Sequence, residues 1–131
     1  LAAACRAIVA ERGPLAAGEA VLTPGFRLAA RYIIHTVGPV WGGGGRGEPR
    51  ALRRAYESCL ALAREHALAS LAFPAVSCGA YGYPVALAAP IALAVLAQGL
   101  NLGHLREARM VLRGAAALAE WTAAAEGLRV L

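Results

Sequence analysis

Between Glu65 and Arg106 the chain carries no Asp, Glu, Lys or Arg. So long a stretch without charge must either cross a membrane or be wrapped inside a fold, since charged residues are what keep a surface in water. Gly79, Gly82, Pro84, Pro90 and Gly99 interrupt it, and no unbroken apolar piece reaches the ~20 residues a bilayer needs. The stretch is therefore read as buried strand, loop and helix, with no membrane partner.

Within it, Ser70 to Val76 (SLAFPAV) is nearly continuous apolar sequence, the pattern of a strand buried on both faces, and Pro74 marks the strand's end because it lacks a ladder donor. A small-residue loop, Ser77 to Tyr83, follows. Pro84 to Leu100 is rich in Ala and Leu and reads as a helix, which Pro90 should bend or delay. A helix without charge lacks a solvated face, so this one is expected to pack into an interface or to have drifted from selection.

The flanking sequence alternates in the same way. Leu1 to Glu11 is helical in composition and stops at Gly13-Pro14; Gly18 to Thr23 and Arg31 to Val37 (RYIIHTV) are strands joined through a Pro24-Gly25 turn. Trp41 to Gly47 (WGGGGRG) is expected to be a flexible surface loop, and it lacks the Lys-Ser/Thr of a phosphate-binding P-loop. From Pro49, the residues Leu52, Ala55, Tyr56, Cys59, Leu60 and Ala63 recur at helical spacing. Arg106 to Arg113 supplies a last strand and Ala115 to Glu126 a closing helix around Trp121. Alternating strands and helices imply a three-layer α/β architecture with parallel pairing, and 131 residues suffice for one such domain over positions 1–131.

The charged set restricts the chemistry. All thirteen basic residues are Arg and all eight acids are Glu, giving a formal charge of +5 that suits a polyanionic partner, although compositional drift toward Ala, Gly, Leu and Arg produces the same balance. With no Asp, a Ser-His-Asp triad is excluded, and no other nucleophile with a base is visible; no catalytic residue is assigned. Cys5, Cys59 and Cys78 are odd in number and not spaced as metal pairs, so neither disulfides nor a metal site is expected, and a reducing cytoplasm is the default location. His35 lies within a strand and is read as a structural, hydrogen-bonded residue; His66 and His104 sit near helix ends and are read as caps.

The stretch richest in chemistry is Phe73 to Pro84 (FPAVSCGAYGYP). Ligands bind at the carboxyl ends of strands in parallel α/β folds, and Gly79 and Gly82 let backbone come close to a ligand. Successive amides from Ser77 to Gly82, with the helix N-terminus at Pro84, would form a nest for an anion such as a diphosphate. Cys78 has a second reading, as a reactive thiol activated by that helix end.

The segments GEAVLTPGFRLAARYIIHTVGPVW and SLAFPAVSCGAYGYP, in this order, resemble the macrodomain pattern, in which GEA-T-G-L-IHTVGP-W and SIAFPAISTGIYGYP are characteristic. The resemblance spans the chain and implies a three-layer α/β/α mixed sheet that binds ADP-ribose. It assigns Ser77, Cys78, Gly79, Ala80, Tyr81 and Gly82 to the diphosphate and distal ribose, with Tyr81 against that ribose. Cys78 and Ala80 stand where the pattern has Thr and Ile, which leaves the backbone donors intact. Arg113, or failing that Leu112, falls where the family places an aromatic residue against adenine; a guanidinium can stack on a purine.

The resemblance also implies parts that would precede Leu1: an acidic residue for the adenine, a strand ending in an Asn-rich motif, and a Gly-rich Val-Asp loop. The hydrolytic members use that Asn and Asp, whereas this chain has Asn101 alone and no Asp. The chain is therefore expected to be an N-terminally truncated macrodomain with impaired function. That strand would lie between Arg31–Val37 and Ser70–Val76, so two apolar edges should face each other unpaired or close into a new pairing, and self-association with poor solubility is expected.

Three functions follow: an ADP-ribose-binding domain of the mono-ADP-ribosyl-protein hydrolase or O-acetyl-ADP-ribose deacetylase type; a non-catalytic reader of ADP-ribose or its polymer; and a basic nucleic-acid-binding protein. The expected partner is ADP-ribose or an ADP-ribosylated protein, with nucleic acid disfavoured and no cofactor.

Overall fold

The computed structural model describes residues 1–130. Four helices and four strands alternate almost as the sequence pattern predicts: α1 (Ala2–Arg12), β1 (Ala20–Pro24), β2 (Tyr32–Thr36), α2 (Glu48–Glu65), β3 (Ser70–Phe73), α3 (Val85–Asn101), β4 (Glu107–Met110) and α4 (Ala115–Val130). No helix among the described residues is long and apolar enough to cross a membrane.

β1 and β2 pair antiparallel, with Ala20 opposite Thr36 and Pro24 opposite Tyr32, while β3 and β4 pair parallel, with Ser70 beside Glu107 and Phe73 beside Met110. Side chains alternate across a strand, so each pair has two faces. Ala20, Leu22 and Ile34 turn toward the core under α2. Thr23 and His35 turn the other way, where His35 Nε2 lies 2.9 Å from Thr23 Oγ1 and Cys5 Sγ of α1 lies 3.8 Å from the same nitrogen. α2 covers one face of the β1–β2 pair and α1 reaches the other through Cys5, and the fold is the three-layer α/β/α arrangement with mixed pairing. His35 is the hydrogen-bonded structural residue the sequence indicated.

α2 buries the predicted stripe of Leu52, Ala55, Tyr56, Cys59, Leu60 and Ala63. α3 packs between α2 and α4, which explains its lack of charge: Ala88, Ala89, Ala92, Val95, Leu96 and Gly99 are all buried, with helices on two sides. Pro90 neither ends this helix nor delays its start; its ring lies on the exposed side, where no neighbouring helix is displaced.

One expectation is corrected. β3 stops at Phe73, before Pro74 as anticipated, but it is not buried on both faces: Ser70 and Ala72 are exposed. The cause lies in how the strands associate. β2 and β3 are neighbours without being hydrogen-bonded, and the two pairs remain separate. An open cleft of about 1070 Å³ runs between them, lined on one side by residues 30–38 and on the other by 68–77.

Candidate functional site

The loop after β3 begins where burial ends. Tyr56 of α2 is 1% exposed, and its hydroxyl accepts the Val76 amide at 3.3 Å, fixing the chain just before Ser77. The Tyr56 ring also packs on Phe73, 5.3 Å between centroids, so one core side chain holds both the end of β3 and the loop's first residue. Burial pushes the Tyr56 hydroxyl well above the ordinary phenol range, which keeps it neutral.

From Ser77 the backbone turns sharply. Ser77 has φ 67°, a left-handed conformation uncommon for a residue with a side chain. Gly38, at the end of β2, packs directly against it: a methyl group at Gly38 would come within 2.6 Å of Val76 Cγ1 and closer still to Ser77 Oγ. Ser77 Oγ itself is buried with no hydrogen-bond partner among the described residues.

Of the six amides predicted to form an anion nest, two are already committed. The Cys78 amide donates to Ala75 O at 3.2 Å and the Gly82 amide to Gly79 O at 3.0 Å, because each closes a turn that lets the loop fold back. Among the described residues, the amides of Ser77, Gly79, Ala80 and Tyr81 donate to no protein acceptor. Beyond them, Tyr83 N–H bonds Ser77 O at 2.9 Å, closing the loop, and α3 begins after Pro84. The first turn of a helix leaves its amides without internal acceptors and carries the positive end of the dipole. Gly79, Ala80 and Tyr81 are exposed, and Ser77 and Tyr81 line the mouth of the cleft beside Gly38.

Cys78 does not fit the activated-thiol reading. Burial, and then the charge of Glu120 on α4, push its thiol above the ordinary value, so the thiolate is disfavoured. Arg113 is exposed beyond the end of β4 at Met110, rather than at the strand's end, and makes no hydrogen bond to the loop among the described residues. The last bond of the pair runs from the Val111 amide to Phe73 O, and β3 ends there, before Pro74, which has no donor.

The Gly-rich segment after β2 is ordered, contrary to the flexible loop expected from its composition. Glu48, only 2% exposed at the start of α2, accepts the amides of Gly42 at 2.8 Å, Gly44 at 2.9 Å and Arg46 at 2.7 Å. These bonds, led by that from Gly44, hold its carboxyl down to about 2. The loop so gathered brings Trp41 against Tyr83, 4.6 Å between ring centroids, and the Trp41 amide donates to Tyr81 O at 2.9 Å. Two loops therefore brace each other at one end of the strands.

Residues 1–92 match the Macro domain family model. The chain belongs to the Macro domain family. A Macro domain-containing protein of Ralstonia nicotianae is 52% identical over 90 residues, which cover 69% of this chain and 50% of that protein. An O-acetyl-ADP-ribose deacetylase of Salmonella gallinarum is 50% identical over the same shares. The chain spans about half the length of the curated relatives it matches. A macrodomain of Oceanobacillus iheyensis, solved with ADP, superposes with a TM-score of 0.93 at 32% identity, covering 98% of this chain and 69% of that one.

In this macrodomain the loop residues named from sequence fall together, and Arg113 stands apart from them. Sequence reasoning missed Gly38, Trp41, Glu48 and Tyr56 as supports of the site. Gly38 lies just past the predicted strand Arg31 to Val37, and Tyr56 reads only as part of an apolar stripe. Glu48 gave a signal of a kind, as an acidic residue placed in the first turn of α2 just after four glycines.

Proposed function

We propose that this chain binds ADP-ribose, with its diphosphate held by the loop from Ser77 to Gly82. The observation that carries this is the row of amides at Ser77, Gly79, Ala80 and Tyr81, which meet no protein acceptor and sit at the N-terminal end of α3. Four donors beside a helix dipole suit a group with two negative charges and several acceptor oxygens. The Cys78 and Gly82 amides donate within the turns, to Ala75 O and Gly79 O, and so are not offered to a ligand. Tyr81, 43% exposed at the rim, offers a face to a ribose, and Arg113 offers a planar cation to a purine that reaches beyond β4.

The ADP in the Oceanobacillus structure and the name of the Salmonella relative support this ligand class. Binding is the role proposed for the chain's own residues. Glu48, beside the site, spends its carboxylate on three amides, Glu120 is exposed on α4, and the sequence has no Asp. Deacetylation of O-acetyl-ADP-ribose, or release of ADP-ribose from protein, is proposed only for a protein in which further residues supply the base.

Isothermal titration with ADP-ribose, ADP and AMP tests the assignment. Gly79→Glu is the informative variant, because a Cβ at Gly79 meets nothing within 4 Å and the fold should be undisturbed. Its carboxylate among the amides should weaken ADP-ribose at least ~tenfold through like-charge repulsion. Parent-like affinity in this variant would remove the loop from the site. RNA binding that is steeply salt-dependent and indifferent to ADP-ribose would favour instead a general polyanion surface.

A further inference from the structure

We infer that the outer ridge of α2, formed by Arg46, Arg50 and Arg53 beside the candidate site, receives a short acidic segment of the polypeptide that carries the ADP-ribose. The inference rests on the ADP-ribose reading above for the ligand and adds the kind of protein that bears it.

Positive charge is gathered here without an answering acid. Arg46, Arg50, Arg53 and Arg54 are all exposed. Among the described residues the ion pairs join Arg12 to Glu19 and Arg109 to Glu107, so none of these four takes part in one. Glu48, within the same stretch, is buried and accepts three loop amides. Arg50 stands in the first turn of α2, where the helix dipole repels a cation, and Arg53 and Arg54 lie three and four residues on, where like charges repel. A bound anion relieves both. Arg54 turns toward the start of β1, since a Cβ on Gly18 would come 3.7 Å from its Nε. That leaves three guanidinium groups for a partner.

Position ties this ridge to the site. The Arg46 side chain lies across Gly42, where a Cβ would come 3.3 Å from Arg46 Cδ, and the neighbouring Trp41 amide donates to Tyr81 O at 2.9 Å. Arg46 thus belongs to the loop that braces Tyr81, and Arg50 and Arg53 continue from it along α2.

Spacing and surroundings select a peptide over a nucleic acid. Side chains three residues apart on a helix are ~5–6 Å apart, and alternate side chains on one face of an extended peptide are ~6.6 Å apart. Two carboxylates separated by one residue can therefore meet Arg50 and Arg53 together, each in the planar fork that suits a carboxylate. Past Arg53 the helix presents exposed Glu57, which a backbone charged at every nucleotide would have to cross. Bases would also lack a stacking platform, because Tyr56, the aromatic residue of α2, is 1% exposed.

The probes are two end-blocked pentapeptides, Gly-Glu-Ser-Glu-Gly and Gly-Gln-Ser-Gln-Gly, each made free and with ADP-ribose on the serine. The free peptides are titrated at low salt while the arginine Nε–H resonances of the 131-residue chain are followed by NMR. Saturable shifts are expected at Arg46, Arg50 and Arg53 with the Glu peptide alone. Shifts spread evenly over Arg6, Arg27 and Arg106, no shift at the ridge, or tighter binding there of a five-nucleotide oligouridine would each overturn the inference. With ADP-ribose attached, the Glu peptide should bind about fivefold more tightly than the Gln peptide, since exposed pairs are each worth a few-fold and the attached ligand holds the segment in place. That gain should vanish in Arg50→Gln/Arg53→Gln and persist in Arg6→Gln/Arg27→Gln, which removes the same charge elsewhere. Equal binding of the two conjugates would overturn the ridge and leave the loop assignment standing. Two conjugates that bind no better than the free peptides, with the ridge shifts intact, would instead refute the ADP-ribose reading, and with it the claim that the acidic segment carries one.

Discussion

Gly38→Ala is the substitution on which the site geometry can be judged most sharply. The new methyl would lie 2.6 Å from Val76 Cγ1 and 3.3 Å from Ser77 Cβ, with Ser77 Oγ nearer than either. Carbon atoms in contact prefer ~3.5–4.0 Å, so roughly 1 Å must be found. Ser77 cannot yield it cheaply: its hydroxyl is buried and its backbone already sits at φ 67°. Relief has to come from moving the loop away from β2, and overpacking of this kind costs about 1–3 kcal/mol. For a domain of this size that lowers Tm by roughly 3–10 °C. The amides of Ser77 and Gly79 move with the loop, and a displacement of that order should weaken ADP-ribose by about ten- to a hundredfold.

Thermal melts and titration calorimetry on the same samples measure both effects. Gly45→Ala is the control, because its Cβ meets nothing within 4 Å. Ser77→Gly supplies the second half of a double-mutant cycle, since it removes the clashing hydroxyl and relaxes the positive φ; combined with Gly38→Ala it should restore much of the loss, with a coupling of about 1 kcal/mol or more. If Gly38→Ala melts and binds like the parent, or if Ser77→Gly gives no recovery, the close approach of β2 to the loop is not what positions those amides.

Three further outcomes are expected. Tyr56→Phe leaves the half-buried Val76 amide without its acceptor and should destabilise the fold by about 1 kcal/mol, measured by urea unfolding, and an unchanged midpoint would contradict the bond. Glu48 titrates near 2 in the folded chain against an ordinary 4.5, so its carboxylate stabilises the fold above 4.5 and that contribution fades as pH falls toward 2. Glu48→Gln should therefore melt below the parent at pH 7, with the gap closing on acidification; a gap independent of pH would place the stabilisation elsewhere. Pro90→Ala restores a donor in an exposed turn of α3 and should raise stability by up to ~3 kcal/mol in the same unfolding experiment, and a loss would mean that the Pro90 ring makes packing contacts of its own.

Much of this molecule was legible before any coordinates. The uncharged run from His66 to Leu105 gave β3, the loop and α3 in order, because interior segments must shed charge wherever they lie in the chain. The stripe from Leu52 to Ala63 gave α2 for the same local reason, a period matched to a buried face. The two long motifs gave the family and the loop that carries the candidate site.

What the sequence misjudged was set by partners distant along the chain. Composition made the four-glycine loop look flexible, and only the folded chain shows the Glu48 carboxylate gathering three of its amides. Composition offered six amides to a ligand, and only the turns show two of them spent on Ala75 and Gly79. Ser70 to Val76 reads as buried on both faces, yet exposure of Ser70 and Ala72 follows from β3 having a strand on one side and a cleft on the other. Periodicity reports how a residue relates to its own helix or strand; which amide meets which acceptor, and which edge goes unpaired, is decided by groups the chain brings together across tens of residues.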